Sequence, residues 1–349
     1  MLRSSGAVAV MVSEEDEAAV LVAEAPDAKY VVVFDPLDGS SNIDCNVSVG
    51  SIFGVYRRRQ DPLAPARFAA AASAADALRP GDELVAAGYA NYGSATQLCL
   101  ALAEDAPDAA AGREAKGVNV FSLDTEVGEF IMSHACLRIP ATPKRIYSIN
   151  AGGLASMPRA VRRFVAECNG EAREGAGAGG GSPAGASAAA AGTGAGAGAY
   201  SLRYVGSMVA DVRVERARSR ACALTRAVAS AVACVRARAR ACSLTLSPAP
   251  PRSCPRQVHR TLVYGGVFLY PATKASPSGK LRLLYEAAPM ALITECAGGK
   301  AITGATGAGS GGSRRLLEVV PAALHERVPV ALGCSRDVTR LEELLAAEE

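Results

Sequence analysis

The strongest local pattern in this chain is KYVVVFDPLDGSSNIDCNVSVGSIFGVY, residues 29–56. It begins with a short apolar run rich in β-branched side chains, 30–34, which is typical of a buried strand. The run ends at Asp35-Pro36, a turn signal. A second strand-like run follows at 51–56. The stretch therefore predicts two strands of one sheet with a polar connection between them.

The rest of the chain alternates strand signals with helix signals. Further strand-like runs lie at 83–89, 118–123, 145–149 and 263–270. One helix is predicted after Ser156 and Pro158, where apolar residues recur at helical spacing as far as Gly170. A second is predicted at 286–297, before a pair of glycines, and a last one with Ser335 as its N-cap. This alternation predicts an α/β protein of stacked layers.

Composition and charge narrow the classes of function. The chain has 349 residues, half of them apolar, which is enough to bury one large core or two smaller ones. Its net charge is +3, but residues 213–258 contain ten Arg and one Glu, and without them the net charge is −6. The mildly acidic remainder has no basic face for nucleic acid. The apolar runs are too short for a membrane span, and a secretory signal peptide would not carry the cluster Glu14-Glu15-Asp16.

Cysteine usage indicates a reducing compartment. Four of the ten cysteines lie within residues 213–258, and the other six show no CxxC spacing. This distribution argues against a disulfide framework and against a zinc site. We therefore expect reduced thiols and a cytosol-like location.

Two segments do not fit a packed domain. Residues 171–199 are nearly all Gly, Ala and Ser, too poor in bulky side chains to offset their ordering entropy, and are predicted to be a disordered surface loop. Residues 213–258 contain a diverged repeat, RARSRACALT at 216–225 and RARARACSLT at 236–245. A solvated loop and a nucleic-acid arm are alternative interpretations. We favour translated intron sequence, because joining Val212 to His259, or removing 212–257, restores continuous helical spacing.

The densest chemical signal follows the strand at 30–34. Asp35 and Asp38 put two carboxylates beside each other at a strand-to-turn junction, where they repel unless a cation such as Mg²⁺ lies between them. Gly39-Ser40-Ser41 comes next, and the backbone N–H groups of such a turn form an anion cradle. An Asp-Pro turn with a Gly-Ser capping loop is the structural alternative. Carboxylates next to an anion cradle indicate metal-assisted phosphoryl transfer.

Several long motifs, in the same order, resemble the fructose-1,6-bisphosphatase family. Besides residues 29–56, the chain carries VSEED at 12–16, SLRYVGSMVADV at 201–212, HRTLVYGGVFLYPA at 259–272, GKLRLLYEAAPMALITECAGGKA at 279–301 and VPVALGCSRDV at 328–338. The resemblance implies a layered α/β/α/β/α sandwich of the sugar phosphatase type, usually a homotetramer. It implies an N-terminal metal- and phosphate-binding domain at 1–140 and a C-terminal sugar-phosphate-binding domain at 141–349. It also implies Mg²⁺-dependent hydrolysis of the 1-phosphate of fructose 1,6-bisphosphate, giving fructose 6-phosphate and phosphate in carbohydrate metabolism.

The resemblance also implies roles for particular residues. Two or more Mg²⁺ ions, with Mn²⁺ as an alternative, would be bound by Glu14, Asp35, Leu37, Asp38 and Glu286. The catalytic group would comprise Glu15, Asp38 and Arg282. The sugar bisphosphate would be held by Asp38, Gly39, Ser40, Ser41, Asn150, Arg203, Tyr204, Tyr270 and Lys280, with Arg203 reaching into the neighbouring subunit. The isolated histidines His134, His259 and His325 are assigned no catalytic or metal role.

The sequence departs from the family pattern in three places. It opens at a point that lies well inside the first domain of the family, so the AMP-binding helices and a mobile loop are expected to be missing. After Asn150 it continues with Ala151-Gly152-Gly153, where the family usually has Glu-Gly-Tyr or Glu-Gly-Asn. The insert falls within a predicted helix that follows Tyr204. These departures leave open a catalytically impaired or dead family member that acts only as a subunit.

Substrate and location also have alternatives. A sister phosphatase acting on sedoheptulose 1,7-bisphosphate is disfavoured by NIDCNVSVG at 42–50, which resembles the fructose enzyme. No Cys occurs between Cys45 and Cys99, where the redox-regulated plastid form has its regulatory loop. We therefore expect a cytoplasmic protein, although the missing start leaves a plastid location open.

Overall fold

The computed structural model describes residues 2–22, 28–44, 47–59, 72–107, 114–171, 199–204, 207–209, 257–304 and 312–348. Nearly all of the predicted disordered loop and of the predicted insert lies outside these ranges. Fifteen β-strands and four α-helices are named below within the described part of the chain. Among the described helices, none is long and apolar enough to cross a membrane.

An eight-stranded sheet is built from the N-terminal residues. Its strands are β1 (Val8–Ser13), β2 (Val20–Leu21), β3 (Tyr30–Asp38), β4 (Val49–Arg57), β5 (Leu84–Tyr92), β6 (Thr96–Leu102), β7 (Val118–Asp124) and β8 (Glu129–Leu137). They lie in the order β2-β1-β3-β4-β5-β6-β7-β8. β1 and β3 are parallel, and the other neighbours are antiparallel. The apolar run predicted at 30–34 is thus a central strand, buried because sheet neighbours flank it on both sides.

A five-stranded sheet is built from later residues. Its strands are β9 (Ile146–Ser148), β10 (Ser201–Leu202), β11 (Val267–Tyr270), β13 (Lys300–Thr303) and β15 (Val330–Gly333), in the order β10-β9-β11-β15-β13. β10, β9 and β11 are parallel, so their carboxyl ends meet at one edge of the sheet. A small ribbon pairs β12 (Leu281–Arg282) with β14 (Arg327–Val328).

The helices form layers on the five-stranded sheet. The helices are α1 (Arg159–Cys168), α2 (Gln257–Tyr264), α3 (Ala288–Cys296) and α4 (Ser335–Ala346). α3 is buried along its whole length and contacts strands of both sheets, whereas α1 and α4 pack on each other in a separate apolar cluster. The described layers therefore run sheet, helix, sheet, helix, in agreement with the stacked α/β architecture predicted from the sequence.

Some element boundaries differ from the sequence predictions. The turn predicted to end the strand at Asp35-Pro36 is instead a bulge within β3, which continues to Asp38. The run 263–270 is not one strand, because α2 continues to Tyr264 and two glycines with positive φ separate it from β11. The predicted helix at 286–297 begins earlier, with a π-helical turn at Leu283–Ala287 before α3. Ser335 is not the N-cap of α4, since that position is Cys334 and the Ser335 hydroxyl donates to the carbonyl of Gly298 over 3.1 Å. The common cause is tertiary: each boundary is set by packing against a distant segment.

Candidate active site

A bulge in β3 turns two carboxylates toward the same side of the sheet. Asp35 pairs with Ile52 and Asp38 with Gly50, so three steps along β3 oppose two steps along β4. Residues three apart in a regular strand face opposite sides, and the extra residue removes this difference. The Ser51 hydroxyl holds the bulge by donating to the Pro36 carbonyl over 2.7 Å.

A third carboxylate joins them from the C-terminal half of the chain. Glu286 lies in the π-helical turn before α3 and is buried. It accepts a hydrogen bond from the backbone N–H of Arg282. Carboxylate oxygens of Asp35, Asp38 and Glu286 all lie within 4.8 Å of one another. Their separation in the sequence means that only the packing of the π-helical turn on β3 forms this cluster.

Glu14 adds a fourth carboxylate at the rim. It follows β1, and its backbone N–H donates to the carbonyl of Phe34 over 3.2 Å, which extends the parallel pairing with β3. Glu14, Leu37 and the three buried carboxylates line one cleft. Because β1 and β3 are parallel, their carboxyl ends deliver these groups to the same edge.

Burial and mutual repulsion make this cluster unfavourable when all its members are charged. The pKa of Asp35 is raised well above its usual range, mainly by burial and then by the charges of Asp38, Glu14 and Glu286. Burial also raises the pKa of Asp38, which hydrogen bonds partly offset. Burial, followed by the charge of Asp38, raises the pKa of Glu286 from 4.5 to about 8. Clustered oxygen ligands whose ionised forms repel one another fit a divalent cation, which would stabilise all of them as carboxylates.

The phosphate-binding loop predicted from the sequence lies in the same cleft. Gly39 has a left-handed conformation, with φ +79°, and a short 3-10 turn, Ser40–Asn42, follows it. Gly39, Ser40 and Ser41 line the cleft beside the carboxylates. The first N–H groups of such a turn have no acceptor within the turn, so they are oriented for an external anion.

Ser207 is a site residue for which the sequence analysis gave no role. Its hydroxyl donates to Oδ2 of Asp38 over 2.7 Å, and the backbone N–H of Val209 donates to the same oxygen over 2.8 Å. Ser207 also packs against Gly39. A Cβ added to Gly39 would lie 2.6 Å from the Cβ of Ser207. The sequence feature that could have indicated Ser207 is its position in the motif at 201–212, shortly after Tyr204.

Three strands of the five-stranded sheet bring polar side chains to the other side of the cleft. Asn150 follows β9, Tyr204 follows β10 and Tyr270 ends β11, all at the carboxyl ends of parallel strands. The Tyr204 hydroxyl hydrogen-bonds to Tyr270 and Asn150, and burial followed by the charge of Tyr270 raises its pKa. Tyr204, Tyr270 and Lys280 line the cleft, which encloses about 670 Å³ of atom-free space, part of it open to solvent.

Four of the sequence-predicted residues do not line this cleft. Asn150 contacts the cleft only through its hydrogen bond to Tyr204. Arg282 lies next to the cleft and is half-buried in the β12–β14 ribbon. Glu15 and Arg203 are exposed side chains. The roles predicted for these four residues stay predictions.

Comparison with known proteins identifies the family. The family model described as "Fructose-1-6-bisphosphatase, N-terminal domain" matches residues 1–135, and the corresponding C-terminal domain matches residues 254–346. The chain is 39% identical to the cytosolic fructose-1,6-bisphosphatase of Arabidopsis thaliana, over 100% of this chain and 74% of that protein. It is 40% identical to fructose-1,6-bisphosphatase 1 of Bos taurus, over 99% of this chain and 73% of that protein.

A solved structure shows the same architecture. The crystal structure of Leishmania major fructose-1,6-bisphosphatase in holo form matches with a TM-score of 0.64 and 32% identity, over 98% of this chain and 78% of that chain. This match confirms the α/β sandwich predicted from the sequence. Both family models match, and the carboxylate cluster and the loop at 39–41 lie in one cleft, so the chain belongs to the fructose-1,6-bisphosphatase family.

Proposed function

We propose that this chain hydrolyses the 1-phosphate of fructose 1,6-bisphosphate, with Mg²⁺ as its metal. The observation that carries the proposal is the convergence of Asp35, Asp38 and Glu286 within 4.8 Å, next to the loop at 39–41 in one cleft. Fructose-1,6-bisphosphatases are metal-dependent, and a bound divalent cation supplies charge for the phosphoryl group and lowers the pKa of bound water. Glu14 and the Leu37 carbonyl would complete the ligand set for two or more ions.

The chain's own residues would bind and orient the phosphate that is cleaved. The N–H groups and hydroxyls of Ser40 and Ser41 would hold its oxygens, and Asp38 would be kept in place by Ser207 and Val209. Arg282, beside Glu286, would supply positive charge near the same phosphate. Glu15 would help to activate the attacking water.

The opposite wall suits the other phosphate of the sugar. Tyr204 and Tyr270 present hydroxyls from neighbouring strand ends, and Lys280 adds a positive charge in the same cleft. Lysine charge and tyrosine hydroxyls together bind and orient a phosphate. Asn150 would act through its contact with Tyr204.

Assembly, location and domain division follow as further parts of the proposal. We propose a homotetramer in which the exposed Arg203 reaches the neighbouring subunit. A cytoplasmic location is supported by the relatives of Brassica napus and Arabidopsis thaliana, which are named cytosolic. A division near residue 140 is supported by the family matches at 1–135 and 254–346.

The test is phosphate release from fructose 1,6-bisphosphate by the full chain, titrated with Mg²⁺ and with Mn²⁺. We expect metal-dependent release that Asp35→Asn lowers by about 100-fold or more, because a buried ligand is lost. Glu129→Gln is the matched control, since Glu129 is an exposed carboxylate on β8. Sedoheptulose 1,7-bisphosphate is the competing substrate. Faster release from it would change the sugar assignment, and no release from either sugar would favour the non-catalytic subunit.

A further inference from the structure

Tyr285 connects the metal-ligand cluster to a histidine outside it. It lies in the π-helical turn immediately before Glu286 and is fully buried. Its hydroxyl is 2.7 Å from Nδ1 of His325. The two rings meet edge to face, with centroids 5.8 Å apart and an interplanar angle of 67°. This contact joins residues 40 apart in the sequence, across the β12–β14 ribbon.

The other nitrogen of His325 faces the loop that carries Glu14. Nε2 of His325 is 3.4 Å from the backbone carbonyl of Glu17. The loop at 14–17 is thus held at both ends, by the bond from Glu14 N–H to Phe34 and by the bond from His325 to Glu17. His325 is itself placed by the bond from the Leu283 N–H to the Glu326 carbonyl, over 2.8 Å.

The donors and acceptors along this chain of contacts are determined by its ends. A backbone carbonyl can only accept, so Nε2 of His325 carries the proton and donates to Glu17. Nδ1 is then the acceptor for the Tyr285 hydroxyl. The Tyr285 hydroxyl therefore donates its proton to Nδ1 of His325.

We propose that His325 is a positioning residue of the metal site. By accepting from Tyr285 and donating to Glu17, the imidazole holds the turn carrying Glu286 and the loop carrying Glu14 in one arrangement. His325 itself contacts neither metal nor substrate. This inference rests on the proposed function, because it assigns His325 to the same carboxylates.

Mn²⁺ affinity of the full chain, measured without substrate from the electron paramagnetic resonance of free Mn²⁺, tests the proposal. We expect His325→Ala to raise the Mn²⁺ dissociation constant roughly three- to ten-fold, the range of one hydrogen bond. Tyr285→Phe is expected to do the same. The double variant should bind Mn²⁺ within about two-fold of the weaker-binding single variant, because both changes break the same hydrogen bond between Tyr285 and His325.

Two further variants separate positioning from general destabilisation. His325→Asn keeps an acceptor near the position of Nδ1 and should recover part of the lost affinity. His134→Asn is the matched control, since His134 is a half-buried histidine on β8 that contacts Ser133. It should leave the dissociation constant within two-fold of wild type.

The outcomes distinguish this inference from the proposed function. A His325→Ala chain that is folded and binds Mn²⁺ within two-fold of wild type would overturn it, as would losses that simply add in the double variant. If His325→Ala does not fold, the same two-fold limit on the Mn²⁺ dissociation constant is applied to His325→Asn and Tyr285→Phe. A wild-type chain that binds Mn²⁺ but releases no phosphate would contradict the proposed function alone. A wild-type chain that binds no Mn²⁺ would contradict both.

Discussion

At the scale of single residues, the carboxylate cluster couples metal binding to protonation. Burial raises the pKa values of Asp35, Asp38 and Glu286, and the charge of Asp38 raises those of Asp35 and Glu286 further. Without a cation, the folded protein therefore retains protons that the unfolded chain has already released. Metal and protons compete for the same oxygens.

This competition predicts the pH dependence of stability. An unfolded Glu has a pKa of about 4.3, whereas Glu286 in the fold has a pKa of about 8. Between these values the folded state binds the extra proton, so the free energy of unfolding of the metal-free protein should fall as pH rises, by about 5 kcal/mol across the whole interval. Urea unfolding in EDTA at pH 5, 6, 7 and 8 measures this slope.

Mg²⁺ and one variant serve as controls for this slope. Saturating Mg²⁺ should remove the fall, because it stabilises the deprotonated carboxylates. Glu286→Gln should flatten the slope without metal. Stability that rises from pH 5 to pH 8 in EDTA would contradict the assignment of these carboxylates to one uncompensated cluster.

At the scale of elements, the junction between β3 and the turn at 40–42 depends on one glycine. Gly39 needs its positive φ for the turn, and it also leaves room for Ser207. Gly128, in the β7–β8 turn, has nearly the same φ, +77°, but nothing within 4 Å of an added Cβ. Substituting both glycines therefore distinguishes the cost of backbone strain, which they share, from the cost of close packing, which only Gly39 has.

Gly39→Ala should cost more than Gly128→Ala for this reason. We expect about 1 kcal/mol for Gly128→Ala, the cost of a left-handed alanine. For Gly39→Ala we expect about 2–4 kcal/mol, because the new methyl group must displace Ser207. The displacement should also lower phosphate release, since Ser207 donates to Asp38. Urea unfolding and phosphate assays of both variants measure this, and equal costs would refute the packing argument.

At the scale of the whole molecule, two segments that are distant in the sequence meet at the start of α2. The backbone N–H of Val258 lies 3.4 Å from the carbonyl of Met208, at the start of α2. If residues 212–257 were removed, Val258 would follow Met208 by four positions, which is the spacing of an α-helical hydrogen bond. This spacing favours the interpretation of 212–257 as an insert, and the retained intron stays a hypothesis that sequencing of spliced transcripts tests.

Deleting residues 212–257 should therefore stabilise the protein. The deletion removes the closure entropy of the connection, about 3 kcal/mol for its length, and makes α2 continuous with the segment that holds Asp38. Removing 216–240 alone roughly halves the connection and should gain only about 0.6 kcal/mol. Urea unfolding of the three chains compares them. A full deletion that is less stable than the parent chain would show that 212–257 belongs to the fold.

Local patterns in the amino-acid sequence specify several elements of this protein. The apolar run before Asp35, the helix α1 between Pro158 and Gly170, and the DPLDGSS motif were predicted from spacing and residue type alone. Such patterns are local, because hydrophobic periodicity, caps and turn residues act within a few positions of one another. The resemblance to the family added the partners of Asp35 that are distant in the sequence.

The relative positions of these elements depend on tertiary contacts between residues that are distant in the sequence. The β3 bulge that turns Asp35 and Asp38 to one side depends on pairing with β4. The contact of Ser207 with Asp38 joins residues 169 positions apart, and the contact of His325 with Glu17 joins residues 308 apart. No local pattern encodes such contacts, because each depends on where the packed sheets and turns bring the backbone. A short motif thus supplies the reactive groups, and the packing of distant segments positions them.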